Sequence, residues 1–196
     1  MTMCLTIIPG FAAGLDAEED ATAVFRPGRA VTYPAKLTED KVTVAVKAYE
    51  REDDLRAAFG KTPLAQYGVL PVLVVIDNDS NKAVRLTLRV EFITGDNRRI
   101  VATPAADVPY LKNAKAPRAP GQPSPLPIPL PKKKNKLLSW EVDGRAFAAR
   151  MVPPGESVSG FFYFQTSIWK DARIYVDGLS DAASAKEFLY FEIPIE

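Results

Sequence analysis

Regular alternation of apolar and polar side chains constrains the fold of this 196-residue chain more than any other feature. Residues 83–93 divide between an apolar and a polar set, with Val84, Leu86, Leu88, Val90 and Phe92 in the first and Arg85, Thr87, Arg89 and Glu91 in the second. A period of two residues places the two sets on opposite sides of a β-strand. The segment therefore predicts a half-buried antiparallel strand.

Further strand-like segments lie before and after it. Residues 41–49 alternate in the same way, and residues 69–76, VLPVLVVI, are nearly all apolar, which is typical of a central strand covered on both faces. The polar cluster from Asp77 to Asn81 predicts a turn, so we expect residues 69–76 and 83–93 to pair as a hairpin. Further strands are expected at residues 157–166, 172–176 and 189–195.

Two segments have helical spacing instead. Leu55 and Phe59 lie four residues apart, with Asp53 placed to cap the helix and Gly60 to end it, and residues 141–150 predict a second short helix. About eight short strands separated by turns indicate an all-β antiparallel sandwich decorated by short helices. We expect one such domain over residues 21–196.

A proline- and lysine-rich stretch interrupts the strand pattern at residues 115–136. Its prolines recur at every second or third position: Pro117, Pro120, Pro123, Pro125, Pro127, Pro129 and Pro131. Four lysines follow directly: Lys132, Lys133, Lys134 and Lys136. This composition favours an extended loop in polyproline II geometry. The lysines are candidate contacts for an anionic envelope polymer, and the alternative is a solvated loop.

The first 20 residues have the asymmetry of an export signal. Residues 1–15 carry no charged side chain, and Asp16, Glu18, Glu19 and Asp20 follow. Such an apolar run before small residues is typical of a secretory signal, although the usual basic start is missing, and it is too short to span a bilayer. We expect an extracytoplasmic, envelope-associated protein. The alternatives are an apolar N-terminal strand and a cytoplasmic protein that retains Met1.

Composition excludes several kinds of chemistry. The chain has no histidine and a single cysteine, Cys4, so imidazole-based catalysis, His-ligated zinc and intrachain disulfides are ruled out. A net charge of +1 gives no overall attraction to nucleic acid. Asp77, Asp79 and Asn81 match the start of a calcium loop, but Lys82 and Leu88 occupy positions that need Gly and Glu. We therefore assign no metal and no cofactor, and expect these side chains to form Asx-type turn bonds.

Acidic residues offer the alternative of an enzyme. Glu52, Asp53 and Asp54 form a dense cluster, and a histidine-free carbohydrate-active enzyme would need one of them opposite Glu141 or Asp143 across a cleft. Acids at a helix start have a simpler role, since they complement the helix dipole. We expect no catalytic site.

Aromatic residues lie on both faces of the strand predicted at residues 157–166. If one face is exposed, Phe161 and Tyr163 become candidate partner contacts. The alternative is that the two short helices cover this face.

Several of these segments resemble a known family. The region from Tyr67 through LPVLVVIDNDSNKAVRL, with the later VPPGESVSGFFYF and ARIYVDG, resembles bacterial envelope proteins that carry an immunoglobulin-like domain of the late-embryogenesis-abundant type. The resemblance covers about residues 40–178 and implies an immunoglobulin-like sandwich, secretion or lipid anchoring, and a binding or accessory role. The expected function is a non-catalytic envelope module whose partner is a protein or an anionic envelope polymer.

Overall fold

Nine β-strands in the described part of the chain form two antiparallel sheets. The structure is a computed structural model that describes residues 25–60, 62–111, 139–167, 170–188 and 190–195. The first sheet contains, in spatial order, β1 (Lys36–Glu39), β2 (Val42–Ala48), β3 (Leu70–Asn78) and β7 (Ser157–Phe164). The second contains β5 (Arg99–Val101), β4 (Val84–Ile93), β8 (Arg173–Asp181) and β9 (Phe191–Pro194), with β6 (Met151–Val152) also paired to β4.

Helices in the described residues are short. They are α1 (Glu52–Phe59), α2 (Ser139–Arg145) and three 3-10 helices, Ala30–Thr32, Leu64–Tyr67 and Ala105–Tyr110. None of them is long and apolar enough to cross a membrane. The helix α1 ends at Gly60, as predicted, but it begins after Arg51, so Asp53 lies in its first turn and is not its cap.

Two apolar clusters hold these elements together. The larger one lies between the sheets and joins residues such as Val44 and Val74 of the first sheet to Phe92 and Ile174 of the second. The smaller one lies on the outer side of the first sheet, where the helices cover Leu73 and the other outward side chains. It contains no residue from the strands of the second sheet. The prediction of an all-β, antiparallel fold is therefore confirmed.

The predicted hairpin between residues 69–76 and 83–93 is wrong. Both segments are strands, but β3 pairs with β2 on one side and with β7 on the other. A strand has only two edges, so β3 has none left for β4. The chain instead crosses at residues 79–83 to the second sheet, where β4 pairs with β8.

Asn78 organises this crossover. Its Nδ2 donates to the carbonyl oxygens of Lys82 at 2.7 Å and of Val152 at 3.0 Å, and its Oδ1 accepts from the backbone N–H of Ser80 at 3.1 Å. Because Asn78 is fully buried, these bonds replace water that the amide has lost. One side chain therefore ties the last residue of β3 to the crossover and to the second sheet.

We predict that Asn78→Ala destabilises the protein by about 2–4 kcal/mol, since the buried carbonyl of Val152 and two backbone groups of the crossover lose their partner. Urea unfolding followed by circular dichroism measures the change. Asn81→Ala, at an exposed position of the same crossover, is the matched control and should change stability by less than about 0.5 kcal/mol. Equal effects of the two substitutions would contradict this role of Asn78.

Candidate binding surface

The structure buries Phe161 and Tyr163, so they are not surface contacts. Their exposed fractions are 2% and 1%. The ring of Phe161 lies 4.7 Å from that of Phe59 in α1, and the hydroxyl of Tyr163 donates to the carbonyl of Val142 in α2 at 2.7 Å. Burial accordingly raises the pKa of Tyr163. The two short helices need an apolar surface, and this face of β7 provides it.

Lys132, Lys133, Lys134 and Lys136 lie outside the described residues.

Three of the acids of the enzyme alternative have separate partners. Glu52 pairs with Arg56 at 2.9 Å, and Asp54 pairs with Lys47 at 3.0 Å. Glu141 accepts a hydrogen bond from the hydroxyl of Thr62. These contacts do not join the acidic start of α1 to the acids of α2.

Arg29 binds the two carboxylates of the sequence that matches the start of a calcium loop. Its Nε lies 3.2 Å from Asp77, which is fully buried, and its Nη2 lies 2.8 Å from Asp79. The crossover contains an Asx-type bond, as predicted, but the side chain that forms it is that of Asn78, which the prediction did not name. No group of three or more acidic or cysteine side chains in the described residues is arranged to hold a metal ion.

The outer side of the second sheet carries a polar surface that we call the arginine face. It consists of Arg85, Arg89, Glu91, Arg99, Arg173, Tyr175, Asp177, Tyr190 and Glu192. The alternation of each strand creates it, because the apolar residues of the same strands point into the core. The helices pack on the outer side of the first sheet, and among the described residues none of them contributes to the apolar cluster between the sheets.

Glu91 lies at the centre of the arginine face. Its Oε1 accepts from Nε of Arg89 at 2.9 Å and lies 2.7 Å from Nη2 of the same residue, and its Oε2 accepts from Nη1 of Arg99 at 2.9 Å. The side chain of Glu91 is 2% exposed, against 69% for Arg89 and 53% for Arg99. The hydrogen bond from Arg99 holds the pKa of Glu91 below its usual value, against the opposing effect of burial.

Aromatic rings continue this cluster across the sheet. The guanidinium carbon of Arg99 lies 4.9 Å from the ring centre of Tyr175, and the ring of Tyr190 stacks on Tyr175 at 5.3 Å. Beyond them, Arg173 pairs with Glu192 at 2.7 Å. Cation–π contact and stacking restrict the rotation of these side chains. The result is an ordered row of charged and aromatic groups.

The two sheets differ in their cations. The strands of the first sheet contain Lys36 and Lys47 and no arginine, whereas the strands of the second contain Arg85, Arg89, Arg99 and Arg173 and no lysine. Arginine is enriched at protein interfaces and lysine is depleted there. The composition of the second sheet therefore favours a binding role for its outer face.

A cavity of about 370 Å³ lies at one end of the sandwich. Its lining comes from the β1–β2 turn, the β3–β4 crossover and the segment after β8, and includes Lys41, Lys82, Asp181, Lys186 and Phe188. Lys82 pairs with Asp181 at 2.9 Å, and backbone N–H groups with this lysine keep the pKa of Asp181 well below its usual range. The carboxylate of Asp181 therefore stabilises the turn that follows β8.

Part of the arginine face could be predicted from the sequence. Alternation in residues 83–93 placed Arg85, Arg89 and Glu91 on one side of a strand. It carried no signal that Arg99, Tyr175 and Tyr190 would join them, because those contacts depend on which strands become neighbours.

Comparisons with known proteins give little further information. No family model matches the chain, and no curated protein matches it. A solved structure of a Northeast Structural Genomics Consortium target is similar with a TM-score of 0.34 and 10% sequence identity, over 82% of this chain and 85% of that one.

We predict that Glu91→Gln lowers stability by about 1–3 kcal/mol at neutral pH, because a charged hydrogen-bond acceptor is lost. The pKa of Glu91 is lower in the folded protein, so the stability it provides is present above its unfolded pKa and is lost as pH falls through its folded value. The difference between the two proteins should therefore shrink on acidification.

Urea unfolding at neutral and acidic pH measures this difference. Glu52→Gln is the control, because Glu52 forms an exposed pair with Arg56 on α1 and should contribute little at either pH. If Glu91→Gln lowered stability by the same amount at both pH values, that result would contradict the claim that the ionised carboxylate of Glu91 provides this stability.

Proposed function

We propose that this protein is a non-catalytic module of the cell envelope that binds a partner macromolecule through the arginine face. The observation that carries the proposal is the asymmetry of the two sheets. Helices cover the outer side of the first sheet, whereas the outer side of the second carries ordered arginine and tyrosine side chains. Exposed tyrosine and arginine are the residue types that contribute most binding energy at protein interfaces.

The arrangement of the acids supports binding over catalysis. Paired-carboxylate hydrolysis requires two acids across a cleft. Here Glu52, Asp54 and Glu141 are each engaged by a different side chain. On the arginine face, the buried Glu91 is held ionised by two guanidinium groups, which makes it unsuited to donate a proton.

We further propose that the sandwich is immunoglobulin-like and exported. The two antiparallel sheets around one shared core support the first part. The uncharged residues 1–15 followed by four acids support the second. In this proposal the module serves as a binding or accessory unit.

The binding surface is tested by photo-crosslinking in intact cells. A photoreactive amino acid replaces Val101, which is exposed beside Glu91 on the second sheet, or Leu37, which is exposed on β1 of the first. We expect a discrete adduct from position 101 that disappears when Arg89 and Arg99 are also changed to alanine. Adducts from position 37 alone, or from neither position, would contradict the proposal.

Export is tested by the intact mass of the protein recovered from cell fractions. We expect an extracytoplasmic protein whose first residue lies between residues 12 and 21, because small residues and acids follow the apolar run. A cytoplasmic protein that retains Met1 would contradict export. The binding role of the arginine face would still be tested by the crosslinking experiment.

A further inference from the structure

We infer that the arginine face recognises an acidic, extended segment of a protein partner. This inference rests on the proposed binding function and adds the chemistry of the partner. Its elements are the guanidinium groups of Arg89 and Arg99, the carboxylate of Glu91 between them, and the stacked rings of Tyr175 and Tyr190.

The two guanidinium groups are held in place before any partner binds. Arg89 directs two nitrogens at one oxygen of Glu91, and Arg99 is fixed between the other oxygen and the ring of Tyr175. A guanidinium group retains further N–H donors when one or two are used. Ordered donors lose less conformational entropy on binding than free ones do, so the cluster is preorganised for an anion.

The charge presented to solvent is positive. Both arginine side chains are more than half exposed, while the side chain of Glu91 between them is almost fully covered. Of the other acids on this face, Glu192 is paired with Arg173, and Asp177 accepts from the N–H of Gly178 and the hydroxyl of Tyr175. An incoming carboxylate therefore meets donors first, and charge complementarity favours an acidic partner.

Apolar groups beside the arginines favour a polypeptide over an inorganic polyanion such as polyphosphate. Val101, Met151 and Tyr190 are large side chains exposed on the second sheet or beside it. Tyrosine, methionine and arginine together form the composition of a protein interface. A polyphosphate has no apolar group to place on them, whereas a peptide alternates charged and apolar side chains.

Binding is measured by fluorescence anisotropy on the full chain at low ionic strength, where charge pairs are least screened. The probe is a fluorescein-labelled peptide of glutamates interspersed with leucines, and its control carries glutamine in place of glutamate. Competition with unlabelled polygalacturonate and with inorganic polyphosphate tests the other anion sources. We expect saturable binding of the glutamate peptide only, with either competitor weaker than the unlabelled peptide.

Two charge-conserving variants separate geometry from net charge. Arg99→Lys keeps the charge but loses the fork and the stack on Tyr175, and we expect a roughly tenfold weaker affinity. Arg56→Lys is the matched control, since Arg56 is exposed on α1 and pairs with Glu52 away from this face. It should bind as the unsubstituted protein does.

Glu91→Gln gives the sharpest distinction. It raises the net charge by one, so simple attraction would strengthen binding, whereas loss of the acceptor that orients both arginines should weaken it several-fold. The affinity of Glu91→Gln is measured at a temperature at which circular dichroism shows that the variant is folded. If the variant does not fold, the affinity of Arg99→Lys still tests the inference. Stronger binding by a folded Glu91→Gln would overturn the inference.

The failure of this inference is distinguishable from that of the proposed function. Crosslinks from position 101 without binding of the glutamate peptide would reject the acidic partner and leave the binding module. Preference for polygalacturonate or polyphosphate would likewise reject a polypeptide partner. Absence of both crosslinks and peptide binding would reject the two together.

Discussion

Burial of β3 on both of its faces is the constraint on which the rest of the structure depends. All nine of its residues are buried, so Val72, Val74 and Ile76 serve the core between the sheets while Leu73 and Val75 serve the core under the helices. Burial of one such side chain contributes on the order of 1.5–3 kcal/mol. Because the outward side chains of β3 are apolar as well, the helices cover the outer side of the first sheet, whereas the outward side chains of the second sheet are mostly polar.

How well the sequence predicted the fold depended on whether a feature was local. Alternation predicted β2, β4, β7, β8 and β9, and a nearly unbroken apolar run predicted β3. Alternation also assigned Phe161 and Phe162 to opposite faces of β7 correctly, since a period of two is a property of one strand. Pairing between strands is not local. The crossover after Asn78 has the composition of a hairpin turn, and only the occupied edges of β3 explain why it is not one.

The second sheet contains another feature that alternation does not predict. Val176 and Leu179 both face the core although they lie three residues apart. The pairing of β4 with β8 shifts between Leu86 and Arg89, beside Gly178, which has a φ of 86° and at which an added Cβ would lie 2.2 Å from the carbonyl oxygen of Thr87. Such an irregularity keeps apolar residues inward on both sides of the shift.

The position of Glu91 shows why the arginine face needs arginine. An outward carboxylate in the middle of a sheet would normally be solvated, but here it is covered by Arg89 and Arg99, and a covered charge must keep its hydrogen bonds. A lysine ends in a single ammonium group and could not bind one carboxylate oxygen with two nitrogens or lie flat on Tyr175. Replacing either arginine with lysine would therefore remove part of the cover and hydrogen bonding of Glu91, while the other arginine keeps its own oxygen, so the surface and its buried acid depend on each other.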